Sequence, residues 1–125
     1  MRITRGAGSL SGEALTSHFS GPARFSRLHE STELHPLRVN LVSLEPGSRS
    51  DWHSHSGGQL LYIVHGQGWV QERGQEPERV EVGDVVASDP GEEHWHGAGD
   101  QAMAHLAVTM GDSTWLDPAK APQST

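Results

Sequence analysis

The stretch Gly47–Gly66, GSRSDWHSHSGGQLLYIVHG, holds His53 and His55 two residues apart, then Gly57–Gly58, then Gln59 at the head of an apolar run. In a strand, residues two apart project from the same face. His53 and His55 therefore point together, with Cα atoms about 6–7 Å apart at a rise of roughly 3.3 Å per residue. Imidazoles so placed can converge on one ion, about 2.0–2.2 Å from each nitrogen. Gln59 lies four residues further on, past the glycine turn, and its amide oxygen can join the same ion. A second cluster, Pro90-Gly-Glu-Glu-His94-Trp-His96, again sets two histidines at i and i+2 after a tight turn, and His105 sits inside the apolar strand MAHLAVTM. One His-x-His pair is weak evidence. Two pairs beside Gly/Pro turns, with a polar ligand between them, form a metal-site pattern. His18, His29, His35 and His65 are read as histidines without a role.

Outward from this stretch the chain reads as short strands punctuated by Gly and Pro, the rhythm of an all-β sandwich or barrel. Ala23–His29, Leu37–Leu44, Gln59–His65, Trp69–Arg73, Glu78–Val82, Val85–Ser88, His94–His96 and Ala102–Met110 are the expected strands. Residues 6–18 are small and polar, an irregular arm with room for one helical turn. After Gly111 a tail with two prolines is expected on the surface, pinned by Trp115 and Leu116. The domain reading is an arm over 1–20, a barrel over 21–111 and a tail over 112–125.

The 125 residues suit one domain. Nine Lys plus Arg against 16 Asp plus Glu give a formal charge of −7, which argues against nucleic acid or an anionic membrane as a partner. There is no cysteine, so disulfides, thiolate catalysis and Cys-based metal sites are excluded. No apolar stretch approaches the length of a membrane span. The N-terminus carries no apolar signal-type segment, so cytoplasmic residence is expected.

Gly47-x5-His-x-His-x3-Gln-x6-Gly66 resembles the first motif of the cupin family, and Gly83-Asp84 with Pro90-x-Glu-x-His94 resembles the second. The 16 residues between Gly66 and Gly83 suit the short inter-motif loop of small bacterial cupins. The resemblance implies a single-domain antiparallel β-barrel of jelly-roll type with a metal inside, usually dimeric. Residues 2–5 could then add a strand to a partner copy. It also implies one divalent ion per chain, held by His53, His55, Gln59 and His94. The family's usual third ligand is Glu, and here it is Gln59. The stretch GWVQE…GDVV…PGEEHWHGA…AMAHLAV is further similar to cupins associated with carboxymuconolactone decarboxylases, and to the manganese-dependent hydroxynitrile lyases of cupin fold. In those enzymes a histidine on the strand after HWH is catalytic, and His105 matches it.

Three imidazoles and an amide bring no negative charge, so a divalent ion would keep its full +2 and favour anionic ligands. By the resemblance manganese is the expected metal. Iron, zinc and nickel stay open, because imidazole suits several first-row ions and oxygen donors move the preference towards manganese. His105 alternates with Ala107 and Thr109 on one strand face, and Asn40 and Val42 share a face of Leu37–Leu44; all of these could line a small-molecule pocket. A buried His105 beside a dication should stay neutral, as a general base must. His96 and His105 are the catalytic candidates. Trp52, Trp69, Tyr62 and Trp95 are read as packing or interface residues. The expected function is an enzyme acting on a small oxygenated substrate, in its sharpest form cyanohydrin cleavage. An iron dioxygenase of quercetinase type and a non-catalytic binding module are the alternatives.

Overall fold

In the computed structural model, which describes residues 12–31 and 36–122, two long strands organise everything else. Among the described residues there are nine strands and no helix: β1 (Glu13–Ala14), β2 (Ala23–Ser31), β3 (Leu37–Leu44), β4 (His53–His55), β5 (Gln59–Glu72), β6 (Glu78–Glu81), β7 (Val85–Ser88), β8 (His94–Met110) and β9 (Ser113–Trp115). Every pairing is antiparallel. With no helix described, none is long and apolar enough to cross a membrane.

The first half of β5 shows why it is a strand. Gln59, Leu61 and Ile63 are buried while Leu60, Tyr62 and Val64 face out, the period of two that a half-buried sheet requires. The second half bends away. Two register shifts, between Ile63 and His65 and between Gly66 and Gly68, let β5 pair with both halves of β8. Only glycine fits at the bend: Gly66 has φ +71°, and a Cβ there would lie 1.8 Å from the carbonyl oxygen of Ala102. The expected strands Gln59–His65 and Trp69–Arg73 are therefore one strand. Likewise His94–His96 and Ala102–Met110 are the ends of β8, which is paired with β5 up to Ala98 and again from Met103, with the polar residues 99–102 bulging out at the register shift. β8 also pairs with β3 along Leu37–Leu44, so the sheet curls round an interior.

One further expectation changes and another is extended. Residues 12–18 hold the two-residue strand β1, paired with β2, and no helical turn; residues 6–11 lie outside the described residues, as do residues 2–5 and His35. The chain after Gly111 lies largely on the surface and is pinned at Trp115 and Leu116, as expected, but it also contributes a strand. β9 pairs with β4, the amide of Leu116 donates to the carbonyl of Trp52, and Ala119 is buried.

The core has two parts. Ala23, Val42, Leu44, Ile63 and Met103 are buried in one, with Phe19 and Phe25 packed against it. Trp52, Trp95 and Ala119 form the other, with Trp69 at its edge. Trp95 is fully buried and its indole N–H donates to Gln71 Oε1 at 2.7 Å, so its one polar atom is satisfied. Tyr62 is exposed on the outer face of β5.

Candidate metal centre

β4 is three residues long, and its burial pattern turns both His53 and His55 inward. It is clamped between β8, where His53 pairs with His94, and β9, where His55 pairs with Ser113. Gln59 opens β5 and His94 opens β8, so the ends of three strands bring the four expected ligands to one place. All four are buried. Ring centroids lie 5.0 Å apart for His53–His55, 4.4 Å for His53–His94 and 5.4 Å for His55–His94.

The hydrogen bonds set which nitrogen of each ring is free. Nδ1 of His53 lies 2.7 Å from the carbonyl oxygen of Asp51, and Nδ1 of His94 lies 3.0 Å from that of Glu92. A carbonyl only accepts, so both Nδ1 atoms donate and both Nε2 atoms keep their lone pairs. Gln59 Nε2 donates to Thr109 Oγ1 at 2.9 Å, which aims the amide oxygen at His94 Nε2, 3.1 Å away. Two electron-pair donors thus face each other at close range, an arrangement that a cation would relieve. His55 Nδ1 meets Ser113 Oγ at 2.8 Å, and its Nε2 is buried with no hydrogen-bond partner. These residues fit a divalent ion bound by neutral nitrogen and oxygen donors.

His96 stands closer to the cluster than the sequence indicated. Ligand nitrogens of His53, His94 and His96 lie within 4.8 Å of one another, so this triad is itself positioned to hold an ion. His96 Nδ1 also lies 3.1 Å from His105 Nε2, with the rings perpendicular. His105 is fully buried and its Nδ1 has no partner. The two catalytic candidates are therefore a contacting pair, beside the four expected ligands.

A cavity of about 440 Å³ adjoins this cluster. Asn40, Val42, Ala107 and Thr109 all line it, as do His53, His55, Gln59, His96 and His105. Val42 sits opposite His105 in the β3–β8 register, and Asn40 opposite Ala107. Leu15, Phe19, Phe25 and Trp115 add an apolar wall. Trp115 packs on His53 with centroids 4.6 Å apart, and His18, read as having no role, stacks on Trp115 at 4.2 Å. Ser113, Arg38 and His18 had no recognisable signal in the sequence: each joins the site through a partner distant along the chain.

Burial keeps these histidines neutral. It lowers His53 from 6.5 to about 3, with the neighbouring His94 adding to the effect. His55 falls to about 4 through burial, then His94 and Arg38. Burial brings His105 to about 4, lowers His94, and holds His96 well below the usual histidine value. The unfolded chain takes up protons near 6.5 that the folded protein refuses until about 4. Stability of the metal-free protein should therefore be full above pH 6.5 and fall as pH drops from 6.5 towards 4. His105 alone contributes roughly 3 kcal/mol to that loss, at about 1.4 kcal/mol per pH unit. A urea midpoint that stayed flat across this window would contradict the neutral cluster.

Residues 40–110 match the cupin domain family model. The chain is a cupin. Its small single-domain jelly roll is shared with a cupin-like protein of Thermotoga maritima, at TM-score 0.79 and 36% identity over 86% of each chain. A cupin 2 conserved barrel domain protein of Rhodopseudomonas palustris superposes at TM-score 0.65 with 18% identity, over 86% of this cupin and 71% of that chain; at that identity the likeness concerns the fold alone. This cupin is also 39% identical over 109 residues to (R)-mandelonitrile lyase of Granulicella tundricola, covering 86% of this chain and 83% of that protein.

Proposed function

We propose that this cupin is a hydroxynitrile-lyase-like enzyme that reversibly cleaves a cyanohydrin to an aldehyde and hydrogen cyanide. The observation that carries this reading is a neutral, fully buried His105 on the wall of a cavity shared with the ligand cluster. The 39% identity to a mandelonitrile lyase supports it. His53, His55, Gln59 and His94 would hold a divalent ion, with manganese the reading that the family resemblance favours. When bound, that ion supplies a Lewis acid of undiminished +2 charge. The chain's own part is proton transfer. His105 takes the cyanohydrin hydroxyl proton, the C–C bond to the nitrile breaks, and its electron pair leaves with cyanide as the carbonyl forms. Cyanide then recovers a proton and departs as hydrogen cyanide. His105 Nε2 is the ring nitrogen turned towards His96, so the proton is shared along that pair. Phe19, Phe25 and Leu15 give the cavity an apolar wall for the aldehyde's carbon substituent.

The test is metal analysis of protein purified without chelators, followed by parallel assays of mandelonitrile cleavage and oxygen uptake. Cyanide release with no oxygen consumption is expected. Oxygen uptake without cyanide release would replace this reading with a dioxygenase.

Gln59 has a role of its own in this reading. In Gln59→Glu, metal should bind at least as tightly, because a carboxylate adds Coulomb attraction. Turnover through a developing anion should nevertheless fall about 10- to 100-fold, matching a loss of about 1.4–3 kcal/mol. A variant that keeps both its metal and its turnover would leave Gln59 as a geometric stand-in for Glu.

The working unit in this reading is a homodimer. Leu60, Tyr62 and Val64 of β5 and Val85 of β7 are between 39% and 58% exposed on one outer face, an apolar surface that a second copy would cover. Light scattering at micromolar concentration should give twice the chain mass, and a mass of 13.5 kDa would refute it.

A further inference from the structure

The cavity has a charged end that cyanohydrin cleavage does not use. Along β3 the inward residues Arg38, Asn40 and Val42 sit opposite Thr109, Ala107 and His105 of β8, and all six line the cavity. Arg38 and Val42 are four residues apart, about 13 Å along the strand at roughly 3.3 Å per residue. Arg38 therefore belongs to the end of the cavity away from His105. The other cation on this wall, Arg27, is paired with Glu30 and held by Asn40 Oδ1. Arg38 differs. Its Nη2 donates to the neutral hydroxyl of Ser113 at 3.1 Å, and among the described residues it forms no ion pair with a carboxylate.

Ser113 is held from the other side by His55, whose Nδ1 lies 2.8 Å from Oγ. When Nε2 of His55 serves as a ligand, Nδ1 carries the hydrogen and donates to Ser113. The oxygen then accepts from His55 and Arg38 together, and its own hydrogen is free to point at a ligand. The remaining guanidinium N–H groups and this O–H are adjacent donors on one edge, which suits the two oxygens of a carboxylate. Asn40 stands between Arg38 and Val42 on this wall, and Phe19, Phe25 and Trp115 add an apolar surface to the lining.

We propose that the Arg38–Ser113 edge binds a carboxylate at the far end of the substrate, so that the substrate is an apolar, ring-sized aldehyde or its cyanohydrin with a carboxylate remote from the reacting carbon. This rests on the lyase reading only for the identity of the reacting group. The test compares binding of 4-carboxybenzaldehyde and 4-methylbenzaldehyde to the metal-loaded protein by calorimetry, in the parent, Arg38→Met, Arg38→Lys and Ser113→Ala, each checked for fold by circular dichroism. The parent should prefer the carboxylated probe about tenfold or more. The ratio should collapse towards one in Arg38→Met, recover in part in Arg38→Lys and narrow in Ser113→Ala. Equal affinity for the two probes in the parent overturns the proposal, even if no variant folds. So does a preference that survives Arg38→Met. Cyanide addition to both aldehydes separates this from the lyase reading. A preference without conversion would sink the lyase reading and leave the edge standing; conversion of both without preference would do the reverse.

Discussion

A His53→Ala/His94→Ala variant is expected to purify without its divalent ion where the parent carries one per chain. These two residues face each other across the β4–β8 pairing, and backbone carbonyls fix their Nδ1 hydrogens so that both Nε2 atoms are offered inward. His96 is a neighbouring imidazole, but one such donor cannot replace two. Affinity should therefore fall well beyond the roughly 10–100-fold that follows loss of a partner outside the ligand shell. Elemental analysis of dialysed protein reads the result directly. The variant also loses two buried groups that resist protonation, so its acid sensitivity should diminish as its metal does. Stoichiometric metal in a folded double variant would overturn the centre and move attention to His55, His96 and His105.

The second large effect is on turnover. His105→Gln should keep the metal and lower cyanohydrin cleavage by about 10²- to 10⁴-fold, the usual contribution of a positioned base. Gln keeps much of the volume of a fully buried ring, so the loss would not come from a collapsed wall. His105→Ala should show the same loss together with lower stability, and comparing the two separates chemistry from packing. If both variants bound ligand and turned over as the parent does, His105 would be a packing residue and the non-catalytic module would be the better account.

How much of this was legible beforehand follows from the range of each determinant. The inward direction of His53 with His55, and of His105 with Ala107 and Thr109, depends only on the pleat, which the chain carries locally. The alternation of Gln59–Val64 is of the same kind, and so is the turn at Gly57–Gly58 that returns Gln59 to the histidines. The cupin motifs add the pairing of these segments, so the fold class stood in the sequence, together with the expectation of histidines gathered in one place; that His96 belongs to the cation-holding triad did not. The continuity of β5 and β8 did not. Gly66, Gly97 and the polar residues after them look locally like loop, and only the pairing on either side of the bulge at residues 99–102 carries both strands through. Nor could local spacing show that β9 returns to clamp β4, placing Ser113 on His55 across 58 residues and Trp115 on His53. The His96–His105 contact arises for the same reason: the two lie nine residues apart on one strand, and meet because β8 bends round the interior. Period and turn chemistry are properties of neighbouring residues and are written along the chain. Which strand lies beside which, and in what register, depends on all the pairings satisfied together, so the partners of His55, His96 and Arg38 were settled only when the sheet closed.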